Sequence, residues 1–155
     1  MKHYLITGCA GFIGAKVCEL ALRKGHKVAG LDNLNDYYDT RLKMHRLKIL
    51  KPYKNFSFTK IDIENRPALK RVIKKHRFDA LINLAARAGV RYSIENPHIY
   101  FSTNTQGTLN LLELCKDRGI RKFVLASTSY LYAGQRMPFK ESLQVTRLIS
   151  TYAAI

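Results

Sequence analysis

Residues 7–14 read Thr7–Gly8–Cys9–Ala10–Gly11–Phe12–Ile13–Gly14, and this stretch decides the fold. The run before it, His3 to Thr7, has the apolar character of a strand. After it, Ile13, Val17, Leu20 and Ala21 recur at i, i+4, i+7 and i+8, the spacing of one helix face. Three glycines at GxxGxxG spacing therefore sit between a strand and a helix. Glycine accepts positive φ and lets backbone N–H groups approach a diphosphate. The helix N-terminus adds free donors and a partial positive charge. Gly14, one turn into the helix, permits close contact between helix and strand. It is this strand–turn–helix setting that gives the glycine spacing its meaning.

Outward from this loop the pattern repeats. Gly25 stops the first helix and Lys27 to Leu31 is a second strand. Arg41 to Leu50 is a weaker helix with Leu42, Leu47 and Leu50 apolar, followed by a strand from Phe56 to Ile61. Asn65 is a helix cap, with Pro67 in the first turn and Leu69, Val72, Ile73 and His76 on one face. Phe78 to Leu84 is a fourth strand. Asn96–Pro97 opens a helical region whose stripe is Thr108, Leu111, Leu112 and Cys115, and Lys122 to Ser127 is a fifth strand. Residues 133–150 read as a long loop, and a further helix starts near Ser150–Thr151. Strands joined by crossover helices imply a parallel sheet, and right-handed crossovers imply an α/β, doubly wound (Rossmann) sheet, here of about five strands.

Composition limits the function classes. The 155 residues suit one domain, the 46% hydrophobic share is that of a globular protein, and 10% aromatic content excludes disorder despite the charge. No apolar run approaches the ~20 residues of a membrane span. Cys9, Cys18 and Cys115 are odd in number and far apart, which fits a reduced, cytoplasmic setting, and no His/Cys/carboxylate spacing suggests a metal site. Lys and Arg number 27 against 11 Asp and Glu, a net charge of +16. Sixteen of the basic residues lie in 41–54, 66–77 and 116–122, which read as solvated helix faces and helix exits. A basic patch for nucleic acid is the competing reading, but no helix-turn-helix, zinc finger or aromatic-interleaved motif accompanies it.

Asp32 ends the second strand, 18 residues after Gly14. A carboxylate there accepts hydrogen bonds from the adenosine ribose hydroxyls and repels a 2′-phosphate, which favours NAD over NADP. No arginine follows it directly; Asn33–Leu34–Asn35 come next. Asp62, ending the third strand, is placed to meet the adenine amino group, with Ile63 against the ring.

Several segments together resemble the extended short-chain dehydrogenase/reductase family. The loop 7–14 is similar to its cofactor loop, with Gly8, Gly11, Phe12, Ile13 and Gly14. Asn83–Leu84–Ala85–Ala86 is similar to its strand-four motif, and Asn104 to its helix asparagine. Ser127–Thr128–Ser129–Tyr130–Leu131–Tyr132 resembles the segment that carries the catalytic Ser or Thr, and Tyr152–Ala153–Ala154 the start of YxxxK. The stretches Asp32–Asn33–Leu34–Asn35–Asp36–Tyr37–Tyr38–Asp39 and Leu84 through Pro97 are most similar to UDP-glucuronate 4-epimerases, over roughly the first half of such a protein. Sugar-nucleotide dehydratases of the family carry Asp and Glu after the Thr, where this chain has Ser129 and Tyr130.

The resemblance implies an NAD-dependent nucleotide-sugar 4-epimerase, with the sugar C4 hydride transferred to NAD and returned to the other face. It implies Tyr152 as acid/base, Thr128 as partner of the reacting oxygen, and Arg87, Arg91, Ser127 and Ser129 near a UDP-sugar. It also implies a homodimer. A free tyrosine titrates near 10, so the acid/base tyrosine needs neighbouring positive charge. The motif's Lys would follow Ile155, Ile155 stands where Thr is usual, and Ala133 breaks a Tyr–Gly pair. On this basis residues 1–155 are expected to be an incomplete NAD-binding domain without its C-terminal substrate domain, unable to epimerise alone. A non-catalytic dinucleotide-binding module, or the product of a decayed gene, is the alternative expectation.

Overall fold

The computed structural model describes residues 1–74 and 76–155. Five strands, β1 (His3–Thr7), β2 (Lys27–Asp32), β3 (Phe56–Lys60), β4 (Ala80–Asn83) and β5 (Phe123–Leu125), form a parallel sheet in the order β3-β2-β1-β4-β5. The chain runs outward on one side of β1, then crosses back to continue on the other. This is the doubly wound order expected from the sequence, and its switch point lies between β1 and β4.

Helices cover both faces. On one, α1 (Phe12–Arg23) and α2 (Thr40–Leu50) enclose Ile6, Cys18, Leu22, Val28, Leu47 and Leu50. On the other, α3 (Arg66–Lys74) and α6 (Gly107–Arg118) enclose Leu5, Leu31, Leu69, Ile73, Leu81, Leu111 and Leu114. Leu5 and Ile6 are adjacent in β1 and fully buried on opposite faces, which is why the strand reads as a continuous apolar run. Asn65 caps α3 as its sequence position suggests, its Oδ1 accepting the Ala68 N–H at 3.0 Å.

Helix faces depart from the expected stripes. In α1 the buried line is Gly14, Cys18 and Leu22, while Ile13 and Leu20 point outward at 60% and 48% exposure. The sheet-facing side selects small residues because the helix lies so close to β1. A Cβ on Gly14 would stand 2.0 Å from the Gly8 carbonyl oxygen. In α2 the buried line is Lys43, Leu47 and Leu50, with Leu42 exposed. In α6 it is Asn110, Leu111, Leu114 and Cys115, with Leu112 exposed. His76 is outside α3 and packs edge-on to His3. Lys75, counted in the basic segment 66–77, lies outside the described residues.

Helical structure also starts earlier than Asn96–Pro97. A short α4 (Val90–Glu95) precedes α5 (Pro97–Tyr100), and a π-helical segment, Phe101–Gln106, links α5 to α6. The fifth strand is shorter than expected, and β5 forms one edge of the sheet with Val124 and Leu125 about half exposed. Near the C-terminus α7 (Thr151–Ala154) begins at Ser150, whose Oγ accepts the Ala153 N–H at 3.1 Å. Among the described residues no helix is long and apolar enough to cross a membrane, and no three His, Cys, Asp or Glu residues gather as metal ligands.

Candidate cofactor and catalytic site

Two cavities open at the carboxyl ends of the strands, beside the switch point. The first is lined by Gly8 and Gly11 from the loop after β1, Asp32 and Asn33 after β2, and Asp62 and Ile63 after β3. Leu84 to Arg87 after β4 complete it. The second is lined by Ile13, Asn104, Ser127, Thr128 and Tyr152. They share Leu84, Ala85 and Ala86. One short backbone segment is thus the common wall of both.

The glycine loop is held by backbone geometry. Gly8 takes φ +66°, and a Cβ there would meet the Leu84 carbonyl oxygen at 2.6 Å, so a side chain is excluded twice. Thr7 Oγ1 donates to Asn83 Oδ1 at 2.5 Å and accepts the Leu84 and Ala85 N–H groups, both at 3.2 Å. Asn83 Nδ2 reaches Thr108 Oγ1 at 3.0 Å. These bonds lock β1, the β4 exit and α6 together at the cavity floor.

Asp32 is almost fully buried. Its Oδ2 accepts the Ala10 N–H at 3.1 Å and its Oδ1 the Leu34 N–H at 2.8 Å. Lys43 Nζ stands 3.7 Å from Oδ1, an ion-pair contact, and donates to Asn35 Oδ1 at 2.8 Å. A carboxylate offers roughly four acceptor sites; two take these N–H groups, and Asp32 lines the first cavity. Burial, reinforced by Arg87 and opposed by Asp32, holds Lys43 below the ordinary lysine value. Asp62 accepts from Asn33 Nδ2 at 2.7 Å and from the Glu64 N–H at 2.9 Å. Ile63 is largely buried against Gly107, where a Cβ would approach its Cδ1 at 2.6 Å, and shows only an edge to the cavity.

The structure brings together most of the residues singled out in the sequence, though not all. Gly14 is a packing residue under the loop. Phe12 is 80% exposed and faces α2, with the Arg46 guanidinium over its ring. Arg91 and Ser129 are exposed and line neither cavity. Asn104, on the π-helical segment, uses its amide on the backbone of Arg87: Oδ1 accepts the Arg87 N–H at 2.8 Å and Nδ2 donates to its carbonyl at 3.0 Å. Thr128 caps a 3₁₀ turn at Ser129–Tyr132. Tyr152 lies between the rings of Tyr100 and Tyr130, each 6.1 Å away, and its N–H donates to Ser93 Oγ at 3.2 Å.

Sequence reasoning missed Lys43, Asn35, Tyr37 and Ser93. The charge pattern alone reads Lys43 and Arg46 as solvated basic positions. Lys43 is buried, and Arg46 donates to Ala10 O at 3.3 Å and to Tyr38 Oη at 2.8 Å. The available signal was periodic: Lys43, Leu47 and Leu50 share one helix face. Apart from these two, the described basic residues of the three segments are exposed.

A family model for GDP-mannose 4,6-dehydratase matches residues 5–154. The chain belongs to this family. As a member it is 56% identical over 154 residues to the UDP-glucuronate 4-epimerase of Thermodesulfobacterium geofontis, covering 99% of this chain and 48% of that protein. It superposes with a TM-score of 0.88 and 31% identity on the UDP-glucuronic acid 4-epimerase of Bacillus cereus, solved with UDP-glucuronic acid and NAD, over 98% of this chain and 48% of the other. The Campylobacter jejuni UDP-Glc/GlcNAc 4-epimerase gives a TM-score of 0.88 at 29% identity, over 99% and 45%. The chain spans about half the length of the curated relatives it matches. This family member thus shares the parallel-sheet, Rossmann-like fold of the N-terminal half of these epimerase structures.

Proposed function

We propose that residues 1–155 form the NAD-binding domain of a UDP-glucuronate 4-epimerase, with the sugar-nucleotide held largely by a separate substrate domain. The observation that carries this is the shared wall Leu84–Ala86. It joins a cavity with the chemistry for a dinucleotide to one that holds Thr128 and Tyr152. The residues fit the cofactor. Gly8 and Gly11 leave a cradle that a side chain would fill, α1 aims its N-terminus there, and Asp32 lines the same cavity as the carboxylate acceptor for a ribose hydroxyl. Asn33, Asp62 and Ile63 bound the adenine end. Bound there, NAD would supply the acceptor and then the donor of the sugar C4 hydride.

The chain's own residues supply the proton chemistry. Tyr152 takes the proton of the sugar 4-hydroxyl and gives it back. Thr128 Oγ1 hydrogen-bonds the same oxygen as hydroxyl and as ketone. Ser127 stands at the substrate side of the same cavity. Ser129 and Tyr130, in place of an Asp–Glu pair, favour epimerisation over dehydration despite the family's name. We further propose a homodimer through the outward face of α6, where Leu109 and Leu112 are 49% and 44% exposed.

Titration calorimetry with NAD tests the cofactor half; saturable one-to-one binding is expected, and no binding at millimolar NAD refutes it. For the chemistry, NMR of UDP-glucuronate incubated with the protein carrying these residues is expected to show UDP-galacturonate. Tyr152→Phe should abolish the product while leaving NAD affinity unchanged. Product formation by that variant would remove Tyr152 from its role.

A further inference from the structure

Arg87 stands apart in the polar inventory. Among the described residues its Nε is the one buried side-chain nitrogen or oxygen without a hydrogen-bond partner, and its guanidinium makes no ion pair. A buried donor left unmade costs about 1–3 kcal/mol, so an orphan of this kind needs a reason. The residue is not loosely placed. Asn104 grips its backbone N–H and carbonyl, and its guanidinium lies over the Tyr37 ring, 5.8 Å from the centroid. Tyr37 is itself fixed by donating to the Ala88 carbonyl at 2.6 Å, which the Tyr100 hydroxyl also reaches at 2.5 Å.

The direction of the side chain is set by alternation after β4. Ala88 lines the cavity of Thr128 and Tyr152, whereas Arg87 lines the cavity of Gly8, Gly11 and Asp32. This separates Arg87 from the cavity of Thr128 and Tyr152, whereas the sequence resemblance places it near a UDP-sugar. It also sets two cations, Lys43 and Arg87, near one another, each opposing the other's charge. Asp32 answers Lys43, and the acceptor sites of Asp62 are turned to Asn33 and Glu64. Among the described residues no carboxylate stands within ion-pair distance of the Arg87 guanidinium, which lines the cavity without an anionic partner. Guanidinium N–H groups bind phosphate oxygens through short, charge-assisted bonds.

We propose that Arg87 is a phosphate ligand for the dinucleotide, its guanidinium taking an oxygen of the diphosphate from the side opposite the glycine loop. The inference rests on the NAD-binding reading above. Arg87 then clamps the diphosphate between α1's N-terminus and the β4 exit, and Asn104 and Tyr37 are positioning residues for that clamp.

Calorimetry on the wild-type chain and Arg87→Gln tests it, with NAD, ADP-ribose, adenosine and NADP as probes. Arg87→Gln should weaken NAD and ADP-ribose alike, by about tenfold or more for a lost charge-assisted bond, and leave adenosine unchanged. Arg87→Lys, which keeps the charge, should recover part of the loss. A loss confined to NADP overturns the proposal, since NAD and ADP-ribose carry the same diphosphate. Unchanged affinity for every phosphate-bearing probe overturns the proposal. So does an equal loss for adenosine, which carries no phosphate and would report a disturbed cavity. Failure of the wild-type chain to bind NAD at all would instead sink the cofactor reading. Far-UV circular dichroism of both variants checks that the fold is kept.

Discussion

Replacing Asp32 by Ala will unfold more than a cofactor contact. The carboxylate is buried, accepts two backbone N–H groups and faces Lys43 at 3.7 Å, with both side chains 6% exposed. Removing one member of a buried pair leaves the other uncompensated, at about 3–5 kcal/mol. Lys43 has an escape, since it can lose its proton. Neutralising an ordinary lysine at pH 7 costs about 1.36 kcal/mol for each of roughly 3.4 units, near 4.6 kcal/mol, and this caps the penalty. Burial already holds Lys43 below that ordinary value, which lowers the cap further.

We therefore expect Asp32→Ala to cost about 3–4 kcal/mol at pH 7 and clearly less at pH 10, where neutral Lys43 is cheap to form. Lys43→Met should cost about 1–2 kcal/mol, because Asp32 keeps its two N–H donors. The double variant should lose about 2 kcal/mol or more less than the sum of the two single losses. Urea unfolding followed by far-UV circular dichroism measures all three. Additivity within ~0.5 kcal/mol, or an Asp32→Ala penalty indifferent to pH, would refute the coupling. Loss of NAD binding in Asp32→Ala alone is consequently ambiguous, and the double variant is the cleaner background.

Gly14→Ala should lower stability by about 1–3 kcal/mol despite alanine's better helix propensity, since its Cβ would stand 2.0 Å from the Gly8 oxygen; equal or higher urea resistance would contradict the close packing of α1. Cys18 and Cys115 are buried, with burial pushing their thiols up to about 12 and about 11, and burial raises Cys9 as well. Ellman's reagent at pH 8 should therefore label none of the three in the native protein within minutes and all of them in urea. Burial, with His76 alongside, holds His3 below 6.5. Its neutral form is favoured by folding, so its contribution is complete above pH 6.5 and is lost as pH falls through the lowered value. The melting temperature of His3→Gln should thus drop less between pH 7 and pH 5 than that of the wild type; parallel curves would remove His3 from the account.

The parts of the fold legible in the sequence are those where one residue type has one physical use. Gly8 must carry positive φ, Leu5 and Ile6 must both be buried, and Asn65 caps a helix, so loop, sheet and α3 follow directly. Asp32 is legible from its place after β2, but its partner Lys43 is not, because a lysine counts first as surface charge. Only the face it shares with Leu47 and Leu50 betrays its burial. The α1 stripe was misplaced for a related reason: Ile13 and Leu20 are the larger apolar residues, yet the sheet selects the smaller Gly14 and Cys18. The short α4 carries too few turns for a period to show. The environment of Arg87 is set by contacts with residues 37 and 104, far away in the chain.

The edge strand β5 has a colloidal consequence. Within residues 1–155, Val124 and Leu125 are 52% and 54% exposed on an edge strand, a place where another strand can add. The charge of +16 opposes such an encounter by holding molecules apart. That repulsion reaches about 30 Å at 0.01 M ionic strength and only about 8 Å at 0.15 M. Salt therefore brings the bare edges together, and the basic surface acts as a dispersant in dilute buffer.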